Sequence, residues 1–208
     1  MKHQIKRERP PDNNRHILNV CRSPYVLLGM VFVLLRLAVY YAGVRFDAWV
    51  NVNPMHFIFP ELMKTDLWRS LFCLHSQPPL FNLFVGSMIK VFPSSFGAVF
   101  AVVYLCLGLC LILCLYRLMN ILGAPPGISL AVSGIFIAGP ACILYENMLM
   151  YTYPVAVLLC LAGVSFHAYA KTGKTVAGLL FFSIVAALVL TRSLFHVVWF
   201  AVLLSFTI

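Results

Sequence analysis

Negative charge is what this sequence has least of. Only six of its 208 residues are Asp or Glu, and after Asp66 a single acid, Glu146, remains. Charge of either sign is thin at 10%, set against 62% hydrophobic residues and a mean hydropathy of +0.94. A water-soluble domain of this length could not carry that composition without aggregating, so the solvent must be lipid. Two further absences narrow the class. No small-residue cleavage site follows the first apolar run, so the N-terminus reads as an anchor and not as a cleavable signal peptide. Nor is there a disulfide framework: Cys106, Cys110, Cys114, Cys142 and Cys160 lie in apolar runs, Cys21 in a basic segment, and Cys73 alone in its loop. Cys106, Cys110 and Cys114 share one helix face at four-residue spacing, which suits small-residue packing between helices better than a metal site.

What is present is a series of apolar runs, at residues 24–43, 96–116, 127–144, 154–170 and 175–190, with another starting near Val197. In lipid each can close its main-chain hydrogen bonds only as a helix, so the expected fold is an all-α, polytopic bundle of about six spans. The last run reaches Ile208 without a polar stop, which predicts an element cut short there. The net charge of +9 is concentrated in Lys2, Lys6, Arg7, Arg9, Arg15 and Arg22, just before the first span. That is a topology signal and not a nucleic-acid surface, and it places residues 1–23 in the cytoplasm ahead of a transmembrane module at 24–208.

One segment decides which side every later loop faces. Residues 79–92 number about 14, below the roughly 17–25 of a span. Asn82, Gly86 and Lys90, with Ser87 beside them, give this helix a polar stripe, as expected of one lying in the membrane interface. If it does not cross, Arg117 and the Lys171-Thr172-Gly173-Lys174 loop fall in the cytoplasm, as the positive-inside tendency prefers. The segment 44–95 is then external. Within it, residues 61–74 place Leu62, Met63, Leu67, Leu71 and Leu74 on one stripe, a second interfacial helix. Asp47, His56, Glu61, Asp66, His75, Gln77, Glu146, Arg192 and His196 all come out on the external face or at its boundary.

Several of these carry candidate chemistry. Asp47 follows the first span at the depth where a carboxylate meets both water and headgroups; it suits a general base, or is a solvated partner of Arg45. Glu146 stands where a span emerges, and an acid in so apolar a setting needs a partner or a purpose. Asn147 beside it could orient a hydroxyl or a metal-bound water. Arg192 and His196 flank the next external turn, where a guanidinium can hold phosphate or simply snorkel to headgroups. His75 and Gln77 sit on the turn between the two surface helices. Arg36, inside the first span, should point into the bundle or pair with an acid.

Taken together, the early Asp47, the turn Leu74-His75-Ser76-Gln77-Pro78-Pro79-Leu80-Phe81-Asn82, Glu146 after the third span and Thr191-Arg192-Ser193 resemble a known family. They are similar to the amino-terminal part of GT-C class polytopic glycosyltransferases, the family 39 group of protein O-mannosyltransferases and aminoarabinose transferases. The resemblance implies transfer of a sugar from a polyprenyl or dolichyl phosphate carrier to an acceptor hydroxyl, with inversion. It implies Asp47 as base, Glu146 holding the acceptor or a cation, and Gln77, Arg192 and His75 addressing the carrier phosphate. Asn147 and His196 complete the substrate-binding set. The chain departs from the family pattern at Ala48, where Glu is common, at Glu146, where Asp is common, and at Ser76-Gln77, where a Lys or Glu is common. Those departures assign no cofactor and leave a divalent cation open. Compact loops and the short polar N-terminus point to a bacterial inner membrane. The alternative is a transporter or lipid-carrier flippase, with Arg36, Glu146 and Arg192 lining a pathway. Such a protein should show inverted repeats and helices interrupted near the midplane, of which the sequence offers only Pro140.

Overall fold

The computed structural model describes residues 23–48, 58, 60–73, 79–192, 201–202 and 204–205. Among them the secondary structure is helical, without strands: α1 Pro24–Tyr41, α2 Pro60–Thr65, α3 Leu67–Phe72, α4 Pro79–Val91, α5 Phe96–Ile121, α6 Pro126–Ala138, α7 Pro140–Glu146, α8 Thr152–Thr172 and α9 Thr175–Thr191. Proline opens α1, α6 and α7, where its missing N–H costs nothing and its fixed φ suits the first turn. At the far end of α8, Gly173 takes φ +61° and donates its N–H to Tyr169 O at 2.8 Å, a left-handed stop that a side chain would oppose.

Three helices, α1, α5 and α8, are long and apolar enough to cross a membrane, and α6 with α7 makes a fourth if the bent pair is one span. Of the six spans expected, three to four are thus present among the described residues. The helix α9 has 17 residues, and the sixth run lies mostly outside the described residues.

Ring and side-chain contacts fix the directions. Tyr25 at the start of α1 packs edge-on to Tyr116 near the end of α5, so these two are antiparallel. Tyr104 stacks on Tyr153 with ring centroids 6.0 Å apart, and Gly163 faces Leu118, so α8 runs alongside α5 in the same direction. Helix α9 returns, with Gly178 against Tyr169 and Arg192 over Tyr151. One end of the bundle thus gathers Asp47, Tyr151 and Arg192. The other carries the exposed cations Arg117, Lys171 and Lys174.

Helix α4 stays at the Asp47 end. Phe81 in its first turn meets Tyr151, Phe84 meets Phe100, and residues 92–95 lead straight into the first turn of α5. Its 13 residues reach roughly 20 Å at 1.5 Å per residue. The polar stripe on α4 faces the opposite way from the one its composition suggested. Asn82 and Gly86 are buried and only Lys90 is exposed. Asn82 Oδ1 accepts the N–H of Ile58 at 3.1 Å. Gly86 is a packing notch, since a Cβ there would sit 2.5 Å from Leu67 Cδ1. Residues 61–74, expected as one helix, give two, parted at the non-helical Asp66; Met63, Leu67 and Leu71 are buried as the stripe requires, Leu62 is exposed, and Leu74 lies outside the described residues.

A second correction concerns residues 127–144, expected as one uninterrupted span. They break at Gly139-Pro140, and α6 and α7 meet at 59°. Pro140 disfavours a helical conformation at the residue before it, and Gly139 accordingly adopts φ −62°, ψ 136°. The single interruption that Pro140 offered in the sequence is therefore present.

Candidate functional site

The break has a chemical partner. Along α1, Leu28, Phe32 and Arg36 recur every four residues on the buried face. On α7, Cys142 and Glu146 do the same. Where the two faces meet, Arg36 Nε donates to Glu146 Oε1 at 2.5 Å and Nη2 to Oε2 at 2.8 Å, a two-pronged pair. Nη1 donates to the carbonyl of Ile137 at 3.1 Å, a group left without a helical acceptor's partner by the break at Gly139-Pro140. The hydroxyl of Tyr153 donates to Glu146 Oε2 at 2.7 Å. Glu146 is 1% exposed and Arg36 7%.

This is the acid that Arg36 was expected to seek. A charge pair buried in an apolar setting persists only with such saturation, because desolvating each ion costs several kcal/mol by itself. Gly108 on α5 makes the space: a Cβ there would press on the Glu146 carboxylate and lie 2.8 Å from the Tyr153 hydroxyl. Tyr153 and Gly108 went unnoticed in the sequence, since nothing local marks either residue.

Asp47 is brought beside this network by the main chain. Its N–H donates to Asn147 O at 2.8 Å, and its carbonyl accepts from the N–H of Leu149 at 3.1 Å, an isolated parallel bridge centred on Met148. The side chain is exposed. Among the described residues Arg36 and Glu146 form the one ion pair, so Arg45 does not neutralise Asp47. Arg45 instead lies over the Tyr40 ring, 3.7 Å from its centroid, and donates to the carbonyls of Tyr40 and Val44. Asn147 is half-buried, with Nδ2 donating to Ile143 O at 2.9 Å.

Between α1 and α5 a groove of about 570 Å³ opens. Its α5 wall is low because Gly97, Ala98 and Ala101 stand where larger side chains would fill it. Its polar lining comprises the buried Arg36 and Glu146, the half-buried Asn147 and the exposed Arg45. Of the residues picked out from the sequence, Asp47, Glu146 and Asn147 are thus brought together. Arg192 is at the same end of the bundle but turned to Tyr151, 5.5 Å from the ring centroid. His75, Gln77, His196 and His56 lie outside the described residues.

The arrangement offers an exposed carboxylate, a guanidinium two residues before it that has no carboxylate partner among the described residues, and an apolar groove beside them. Compared with protein-family models, with curated proteins and with solved structures, the chain matches none.

Proposed function

We propose that the protein is a membrane glycosyltransferase that moves a sugar from a polyprenyl or dolichyl phosphate carrier to an acceptor hydroxyl. The single observation that carries this reading is Asp47: an exposed carboxylate just beyond the end of α1, on a main chain fixed by two hydrogen bonds to the 147–149 segment beside an apolar groove. In the reaction, the acceptor O–H gives its proton to Asp47 as its oxygen bonds to the anomeric carbon. The bond from that carbon to the phosphate oxygen breaks, and the carrier leaves as its phosphate. Attack from the face opposite the leaving group gives inversion.

Glu146 acts here by holding the 147–149 segment through Arg36, since Arg36 and Tyr153 engage both its oxygens. Asn147, Arg192 and His196 belong to the substrate-binding side, with His75 and Gln77 assigned to it on the family resemblance. The resemblance to the family 39 glycosyltransferases supports the same reading. The Asp47 end is assigned to the outer face and the N-terminus to the cytoplasm, because Arg117, Lys171 and Lys174 share the opposite end. A bacterial inner membrane is the proposed home. A divalent cation is left open, and the acceptor is unassigned.

A second reading, a transporter or lipid-carrier flippase, is favoured by one observation, the break at Gly139-Pro140 next to a buried ion pair. The two separate in reconstituted vesicles. Wild-type protein should consume a polyprenyl-phosphate sugar, and Asp47→Asn should lower turnover by about 10²–10⁴-fold while inserting normally. Full turnover by that variant removes Asp47 from the mechanism, and lipid movement without sugar transfer selects the second reading.

A further inference from the structure

The main-chain bonds that place Asp47 run to Asn147 and Leu149, and the stretch bearing those two residues is pinned at each end by a tyrosine. At one end Tyr153 of α8 donates to Glu146 Oε2 at 2.7 Å. At the other, Tyr104 of α5 donates its hydroxyl to the carbonyl of Met150 at 2.8 Å. Met150 needs that donor. A helical ladder would supply this carbonyl with the N–H of residue 154, and Pro154 has none to give. The two tyrosine rings stack with centroids 6.0 Å apart and planes 12° apart, so both pins share one footing.

Tyr104 also reaches the other side of the bridge. Its ring stands edge-on to Phe46, the residue before Asp47, with centroids 5.2 Å apart. Tyr104 is fully buried and belongs to the same apolar cluster as Leu149, so water does not compete for either contact. One side chain thus touches both stretches of main chain that meet in the bridge between Asp47 and Met148.

We propose that Tyr104 is a positioning residue: it sets where the Asp47 carboxylate stands without touching a substrate itself. Calling Asp47 a base rests on the glycosyl-transfer reading; its placement by Tyr104 does not. The Asp47 side chain is exposed and makes no ion pair among the described residues, so its aim comes through its main chain. A reacting group displaced by about 1 Å can lose about 10²-fold in rate, which makes the rigidity of that main chain a requirement of the chemistry as well as of the packing. Arg36 and Glu146 secure the near end of the 146–150 segment by charge. Tyr104 secures the far end with one hydroxyl, from a helix whose sequence carries no sign of it.

The test is residue-resolved amide hydrogen exchange of the whole chain in nanodiscs, paired with turnover of a polyprenyl-phosphate sugar. Tyr104→Phe keeps the ring and deletes the hydroxyl. Exchange at the Asp47 and Leu149 amides should rise about three- to tenfold, the worth of one neutral hydrogen bond, while the amides of α5 and α8 keep wild-type rates. Turnover should fall about tenfold in kcat with KM unchanged. Added to Asp47→Asn, the same change should cost nothing further, because a positioning residue has no effect once the group it places is gone. Phe46→Ala removes the other contact from a stretch outside the helices and should speed exchange at Asp47 by a similar factor of about three to ten. It judges the proposal should Tyr104→Phe fail to fold.

The proposal is overturned if exchange at Asp47 and Leu149 is unchanged in both variants, or if the losses from Tyr104→Phe and Asp47→Asn multiply. It is overturned as well if α5 and α8 loosen as much as the bridge, the mark of a purely structural role. Its fate is separable from that of the enzyme reading. A wild-type protein that transfers no sugar defeats that reading, and the exchange rates then decide Tyr104 by themselves; full turnover by Tyr104→Phe with a loosened bridge defeats the positioning role alone.

Discussion

The two flanks of α5 are held together by different means. Toward α8 and α9 the contacts are apolar and continuous: Tyr104 stacks on Tyr153, Phe181, Val185 and Leu188 are buried, and Gly163 and Gly178 admit Leu118 and Tyr169. Toward α1, α6 and α7 an apolar cluster of Leu28, Phe32, Ile112, Tyr116 and Ile137 is joined by a saturated ion pair between α1 and α7, with an open groove beside it. Lipid tails are as apolar as leucine, so burying apolar surface gives little preference for one helix partner over another, and shape decides the first flank. A buried charge pair has no substitute partner in hydrocarbon. It therefore dictates where α1 docks and at what height.

That contrast can be broken at four places, in falling order of effect on thermal unfolding in detergent. Glu146→Leu alone, or Arg36→Leu alone, strands a charge in the interior and should cost about 3–5 kcal/mol. The double replacement Arg36→Met with Glu146→Leu should recover most of that loss; a single variant no worse than the double would mean the pair is not what docks α1. Next comes Gly108→Ala, which must displace the Tyr153 hydroxyl or the Glu146 carboxylate and should cost about 1–3 kcal/mol.

On the other flank, Leu188→Ala removes a fully buried side chain, yet lipid supplies part of what is lost. A cost below about 2 kcal/mol is expected there, less than for a water-soluble core. A larger loss would show that α9 is held by more than shape. Gly134→Ala on α6 is the matched control for Gly108, since its Cβ meets nothing within 4 Å. It should be neutral, or stabilising by up to about 1 kcal/mol through helix propensity alone.

Much of this architecture can be read from composition because lipid leaves the main chain so few options. The run at 24–43 is α1, 96–116 is α5, and 154–170 and 175–190 are α8 and α9, each with ends shifted by a few residues. Arg36 announced its need for an acid by its cost in the span, but only the fold could name Glu146, 110 residues away. Pro140 stood out in the sequence, but the break at Gly139 was not legible, because residues 127–144 are apolar on both sides of it and a window average reads them as one run. Asn82 and Gly86 misled for a different reason: polarity marks a face as special without saying whether water or protein covers it. In α4 a main-chain N–H and Leu67 cover it. The groove was invisible in the sequence, since it is an absence of side chains on two helices distant in the chain.

The bridge at Met148 couples two parts of the molecule that the sequence keeps a hundred residues apart. Any pivot at Gly139-Pro140 swings the segment beyond α7, and Asp47 must swing with it or give up both main-chain bonds. Tilting of the broken helix and aim of the exposed acid are thus a single degree of freedom, so a ligand that tips one would steer the other.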